Sequence, residues 1–108
     1  MNFDKGQDIK YELNGQLFIW NSIKAKINIE KHGVDFKEAA TVFISYSTEY
    51  YNDEEHSDVE ERFIALGMSK RHNLLMVCHC VRESETIIRI ISARKAKKHE
   101  QKRLRGEI

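Results

Sequence analysis

Two short apolar stretches, "KYEL" and "QLFIW", flank Asn14-Gly15. An Asn-Gly step between such stretches predicts a tight hairpin, with strands near 9–13 and 17–20. Asn21 or Ser22 then caps a helix whose apolar side is Ile23, Ala25, Ile27 and Ile29, with Lys24, Lys26, Glu30 and Lys31 polar. Gly33 follows as its stop, and His32 beside it suits the negative end of the helix dipole. Asp35 opens a second short helix, "DFKEAATVF", with Glu38 three residues on as in a capping box. After Phe43 the pattern turns β-like. "ISYSTEYY" alternates, "DEEHSD" breaks it, and strands follow at about 61–68, 74–82 and 86–92, joined by "SKRHN" and "RESE". Ser92 is then placed to cap a last helix reaching about Arg105. Hairpin, two helices, a mostly antiparallel sheet of about four strands and a C-terminal helix make an α+β fold. Trp20, Phe36 and Phe43 are its expected core aromatics.

At 108 residues the chain suits one domain over 1–108, long enough to bury a core without a metal or disulfides. It has no apolar run long enough for a membrane span or a signal peptide, which points to a cytoplasmic protein. Cys78 and Cys80 lie two apart on a strand, on one face but not opposed for a disulfide, and suit a reducing compartment. "CHC" resembles a metal fragment, but alternation turns His79 away from both cysteines and no second ligand pair exists, so no metal or cofactor is expected.

The net charge of +1 hides a separation along the chain. Residues 49–61 carry Glu49, Asp53, Glu54, Glu55, Asp58, Glu60 and Glu61 with no Lys or Arg, whereas "RIISARKAKKHEQKRLR" gathers Arg89, Arg94, Lys95, Lys97, Lys98, Lys102, Arg103 and Arg105 around Glu100. The acidic block reads as an exposed loop and edge strand. Cations at Arg94, Lys95, Lys97 and Lys98 in the first turns of the last helix reverse the usual preference for acids there, and so suggest a phosphate or an acidic partner. A surface helix with its cations in water is the plainer alternative.

Four motifs fall in one order: "W-N-x-x-K" at 20–24, "N-x-x-K-H-G-V-x-F-x-E-A" at 28–39, "H-S-x-x-E-E-R-F-x-x-x-G" at 56–67 and "I-R-I-I-S-A-R-K-A" at 88–96. Together they closely resemble the BrnT family of type II toxins, over about residues 17 to 100. The resemblance implies a RelE-like ribonuclease toxin, with helices on one face of a curved antiparallel sheet and RNA on the other. It also implies a BrnA-like antitoxin that neutralises the toxin and contacts DNA, so that DNA is met only indirectly. Two features depart from the pattern. Gln101 and Leu104 stand where members often carry Arg and Tyr, and residues 1–16 form an N-terminal extension.

Metal-free RNA cleavage needs a base for the 2′-hydroxyl proton, an acid for the leaving 5′-oxygen, and cations for the phosphorane. Arg62, Arg89 and Arg94 are candidates for the phosphate clamp, with Lys95, Lys97 and Lys98 extending the RNA surface. Proton transfer falls to His79, His56 or Glu60. If "ESE" forms a three-residue loop, His79 lies directly opposite Arg89, on one face with Val77 and Ile91; a four-residue loop breaks that pair. Each candidate has a plainer reading: Arg89 as an exposed strand residue, His79 as a packed one. Tyr46, Tyr50 and Tyr51 can stack bases but are also ordinary strand residues. A translation-inhibiting endoribonuclease is the leading expectation. The alternative is a catalytically attenuated relative acting as an antitoxin-binding, operon-regulatory module, to which the changes at Gln101 and Leu104 point.

Overall fold

In the computed structural model, residues 5–56, 60–82, 84 and 86–104 are described, with backbone alone at His56, Arg103 and Leu104. The elements are β1 (Asp8–Leu13), β2 (Gln16–Asn21), α1 (Ser22–His32), α2 (Phe36–Thr41), β3 (Glu49–Asn52), β4 (Phe63–Met68), β5 (Leu74–Arg82), β6 (Ile87–Lys95) and α3 (Lys98–Leu104). Short 3-10 turns stand at Val42–Ile44 and Glu54–His56. Asn14 and Gly15 both take positive φ, 50° and 83°, as a two-residue hairpin turn with right-handed twist requires.

The sheet has six strands in the order β1-β2-β6-β5-β4-β3. About four were expected, because the N-terminal hairpin read as a separate unit. Instead β2 joins the sheet by a short parallel pairing with β6, Leu17 to Ile87 through Ile19 to Arg89, and every other pairing is antiparallel. "ISYSTEYY" does not form one strand either. It starts in the 3-10 turn, and only Glu49 onward pairs, with β4.

One face of the sheet packs on α1 and α2. Phe18 and Trp20 of β2, Val34, Phe36, Ala39, Ala40 and Val42 of the helical segment, and Ala65, Leu75, Val77, Ile90 and Ala93 of the sheet form the buried cluster. Each large member contributes roughly 1.5–3 kcal/mol by leaving water. Trp20 and Phe36 meet edge to face with centroids 5.8 Å apart, and Phe43 is partly buried against the same cluster.

Asn21 caps α1 by accepting from the N–H groups of Ile23 and Lys24 at 2.9 and 3.0 Å, and Gly33 ends it at φ 71°. The expected apolar side of α1 turns inward only in part, at half-buried Ile23 and at Ala25, which packs against the core. Ile27 and Ile29 are 52% and 49% exposed, and the buried residue is Asn28. The cause lies in β6. Its parallel partner β2 stops at Asn21, so further along β6 the backbone of Ala93 would lack partners on that side. The Asn28 carboxamide fills the gap: Nδ2 donates to the carbonyls of Ala93 and Val34 at 2.9 Å each, and Oδ1 accepts from Ala93 N–H at 3.0 Å. A side chain here continues the ladder that the strand abandons.

Asp35 caps α2 through Glu38 N–H at 2.7 Å. Glu38 does not reach back to complete a capping box. Its buried carboxylate instead accepts from Ser69 Oγ at 2.7 Å and Asn73 Nδ2 at 2.8 Å, tying α2 to the β4–β5 turn. Gly67 answers a close approach, since a Cβ there would collide with the Thr48 side chain.

Candidate active site

The sheet face turned away from α1 and α2 carries the arginines. On β5, Met76, Cys78, Cys80 and Arg82 share that face, and β6 sets Arg89 opposite Cys80 and Arg94 opposite Met76. Five residues apart on a regular strand, Arg89 and Arg94 would point to opposite sides. A β-bulge reconciles them: His79 pairs with Ile90 and Cys78 with Ser92, so Ile91 is the extra residue and the alternation is reset. The same reset buries both Ile90 and Ala93.

The register also decides the His79–Arg89 pair. Arg82 lies opposite Ile87, four residues in the sequence separating the two, so His79 faces Ile90 and turns to the packed side while Arg89 stays on the open side. The two residues stand on opposite faces.

Each open-face arginine of β5 and β6 holds a carboxylate of the chain. Arg89 Nη2 donates to Asp8 Oδ2 at 3.1 Å, Arg82 Nη2 to Glu60 Oε2 at 2.6 Å, and Arg94 Nη1 and Nη2 to the two oxygens of Glu100 at 2.8 Å. Between them, Arg82 Nε donates to Cys80 Sγ at 3.5 Å, and the Cys80 thiol lies 3.6 Å from Glu60 Oε1. Arg62 precedes β4, its carbonyl accepts from Asp53 N–H at 2.8 Å, and its charge acts on the Cys78 thiol. Burial, then the neighbouring Asp53 carboxylate, pushes that thiol up to about 11, so Cys78 stays a thiol at neutral pH. Both cysteines are free. Among the described residues, no group of three or more His, Cys, Asp or Glu is placed to hold a metal ion.

The basic segment differs most from expectation. Arg94 and Lys95 end β6, Ser92 pairs with Cys78 within that strand rather than capping a helix, and α3 begins only at Lys98. β-Branched Ile87, Ile88, Ile90 and Ile91, carried on by β5, keep this stretch extended. The start of α3 already has its anion. Lys97 N–H donates to Glu100 Oε1 at 2.7 Å while the same carboxylate holds Arg94. The Arg94 guanidinium beside Glu100 holds its carboxyl down at about 2. Lys95, Lys97 and Lys98 remain exposed at the junction. Gln101 donates to Ala96 O at 3.1 Å; the side chains of Leu104 and His56 lie outside the described residues.

The open face thus carries Glu60, Arg62, Arg89 and Arg94 among the expected residues, while His79 points to the opposite sheet face and, of these four, shares a cleft lining with Glu60 alone. Arg82, Asp8 and the aromatic ring around His79 were not anticipated. Alternation on β5 could have found Arg82, because it shares a face with Cys80, the partner of Arg89.

The family model described as "Ribonuclease toxin, BrnT, of type II toxin-antitoxin system" matches residues 20–100. The chain belongs to the BrnT family. Its fold is similar to that of the crystal structure of the Brucella abortus ribonuclease toxin, BrnT, with a TM-score of 0.57 and 23% identity over 73% of this chain and 94% of that one. No curated protein matches it. The BrnT match begins at Trp20, so β1, with Asp8, lies outside it. Among the described residues, no helix is long and apolar enough to cross a membrane.

Proposed function

We propose that this chain is the toxin of a type II toxin-antitoxin pair, a metal-independent endoribonuclease that acts in the cytoplasm, cleaves RNA and so inhibits translation, neutralised by a BrnA-like antitoxin. The carrying observation is the row of arginines on one sheet face, each paired with a carboxylate of the chain. Such pairs are loose enough at a surface for phosphate oxygens to replace the carboxylates, and arginine forks suit phosphate.

Arg89 and Arg82 clamp the scissile phosphate, with Arg62 beside them and Arg94, Lys95, Lys97 and Lys98 holding the flanking backbone. When phosphate takes Arg82, the Glu60 carboxylate is released next to the reacting centre and accepts the 2′-hydroxyl proton. The 2′-oxygen attacks phosphorus, the bond to the 5′-oxygen breaks, and His56, four residues before Glu60 in the sequence, returns a proton to the leaving oxygen. Arginine charge stabilises the phosphorane between these steps. His79, buried on the other face, takes no part in proton transfer here.

A second reading, an attenuated relative that keeps antitoxin binding, is favoured by Gln101, which makes an intrachain bond where members often carry Arg. Induced expression in bacteria, with growth and RNA integrity followed for wild type and Arg89→Ala, separates the two. Arrest with RNA fragments in the wild type alone is expected. Full toxicity of a folded Arg89→Ala protein would remove Arg89 from the site, and intact RNA with soluble wild type would favour the attenuated reading. Arg89→Ala should cost about 1 kcal/mol of stability, the usual worth of an ion pair whose carboxylate, here Asp8, is more than half exposed.

A further inference from the structure

A cleft of about 570 Å³ adjoins the arginine face, lined by residues of β2, β3, β4, β5 and β6. Its wall includes His79, only 4% exposed, ringed by Phe43 edge-on with centroids at 4.8 Å, Phe63 at 6.0 Å and Tyr50 at 6.2 Å. Val77 O, 3.1 Å from Nδ1, can only accept, so Nδ1 carries the proton and Nε2 is left as an acceptor. Burial pushes the His79 pKa down, which keeps the ring neutral.

The rest of the lining is also acceptor-rich. Gln16 spends its amide N–H groups on Leu17 O and Thr86 O, leaving Oε1, and Glu60 and Glu61 stand at the wall. The exposed Glu61 carboxylate makes no hydrogen bond to a described residue. Among the described residues, no Lys or Arg lines the cleft. Phosphate is therefore repelled, whereas a flat, stackable group with several donors is welcome. Guanine fits this chemistry because it presents N1–H and N2–H side by side, a pair that one carboxylate receives with both oxygens, while its face stacks on aromatic rings.

We infer that the cleft binds a guanine base of the RNA, with Glu61 receiving N1–H and N2–H, His79 Nε2 as a further acceptor, and Phe43, Tyr50 and Phe63 as the apolar wall. The inference rests on the ribonuclease reading for the presence of RNA beside Glu60, where the cleft, otherwise on the sheet face opposite Arg89 and Arg94, meets the arginine face. A protein arginine would meet similar acceptors. The base is favoured because Glu60 both lines the cleft and pairs with Arg82, so cleft and phosphate clamp are contiguous.

The test uses uncleavable 2′-O-methyl pentanucleotides that carry G, inosine, A, C or U at the centre of an otherwise constant strand. Binding to the full chain and to Glu61→Gln is read by fluorescence anisotropy. The G strand should bind about tenfold more tightly than the others. Inosine, lacking the N2 amine, should lose most of that margin, and Glu61→Gln should erase it while the weak common affinity persists. Equal affinities across the series overturn the inference, as does a guanine preference that survives Glu61→Gln. Displacement by an arginine-containing tetrapeptide with no guanine preference would assign the cleft to a protein partner instead. The inosine comparison needs no variant, so misfolding cannot imitate it. RNA cut without base preference removes the guanine site alone; guanine-selective binding without cleavage removes the ribonuclease reading alone.

Discussion

Replacing Asn28 by alanine should be among the most damaging single changes in α1, although the position reads as a polar residue on a surface helix. The carboxamide makes three hydrogen bonds, to Val34 O, Ala93 O and Ala93 N–H, at 2.9–3.0 Å. Both partner residues are 1% exposed, so water cannot readily take over. At about 1 kcal/mol for each bond, with a further penalty where a backbone group is left buried and unpaired, Asn28→Ala should cost about 3–4 kcal/mol. That is a large share of the roughly 5–15 kcal/mol that holds a domain of this size. Urea unfolding followed by the fluorescence of buried Trp20 measures it. With a slope of about 2 kcal/mol per molar, the midpoint should fall by roughly 1.5–2 M. Asn28→Asp is the discriminating control. At neutral pH the aspartate can keep only the bond from Ala93 N–H and sets an oxygen against two carbonyls, so it should be no better than alanine. A loss below about 1 kcal/mol for Asn28→Ala, or near-wild-type stability for Asn28→Asp, would refute the bridging account.

Two further outcomes follow from the ion pairs. Asp8→Asn removes the carboxylate that holds Arg89 at 3.1 Å, so RNA affinity should rise several-fold and the gain should vanish in an Arg89→Ala background; unchanged affinity in filter binding at low salt would disconnect β1 from the RNA face. Glu100 has a folded pKa of about 2, below the unfolded value near 4.3. Its contribution is therefore complete above about pH 5 and is lost as the pH falls from about 4 towards 2. Because Arg94 is partly exposed, the pair is worth only about 1 kcal/mol. The Lys97 amide, hydrogen-bonded to Glu100, should titrate by NMR with a midpoint near 2, and a midpoint above 4 would contradict the docked carboxylate.

Much of the fold is written in local pattern, because hairpin, caps and strand alternation each depend on residues a few positions apart. Asn14-Gly15, Asn21, Gly33 and Asp35 act where their types predict. The places where the reading failed depend on distant partners. Ile27 and Ile29 look like a core stripe, yet the edge of β6 needs a carboxamide more than it needs another aliphatic contact, so α1 turns Asn28 inward. Glu38 looks like half of a capping box, yet Ser69 and Asn73 claim its carboxylate. Ser92 looks like a helix cap, yet β5 is long enough to keep its partner extended to Lys95.

The candidate site illustrates the same limit more sharply. Alternation alone assigns Arg89 and Arg94 to opposite faces, and only a three-residue β5–β6 loop would place Arg89 with His79, a four-residue one breaking the pair. One additional residue in the β5–β6 loop and one bulged residue at Ile91 change both assignments. The arginines come to share the open face, and the histidine is sent into an aromatic wall. Neither change alters composition or charge, and neither is visible without the register. A bulge costs ladder hydrogen bonds at Ile91, and that cost is offset where Ile90 and Ala93 both enter the core. The device that completes the hydrophobic core is thus the same one that aligns the arginine face. Taking Ile91 into a regular ladder would turn Ala93 and Arg94 to the wrong sides together, whereas deleting Ile91 leaves Ala93 opposite Val77 and Arg94 opposite Met76, so core and arginine face depend on the same backbone irregularity as long as that residue is present.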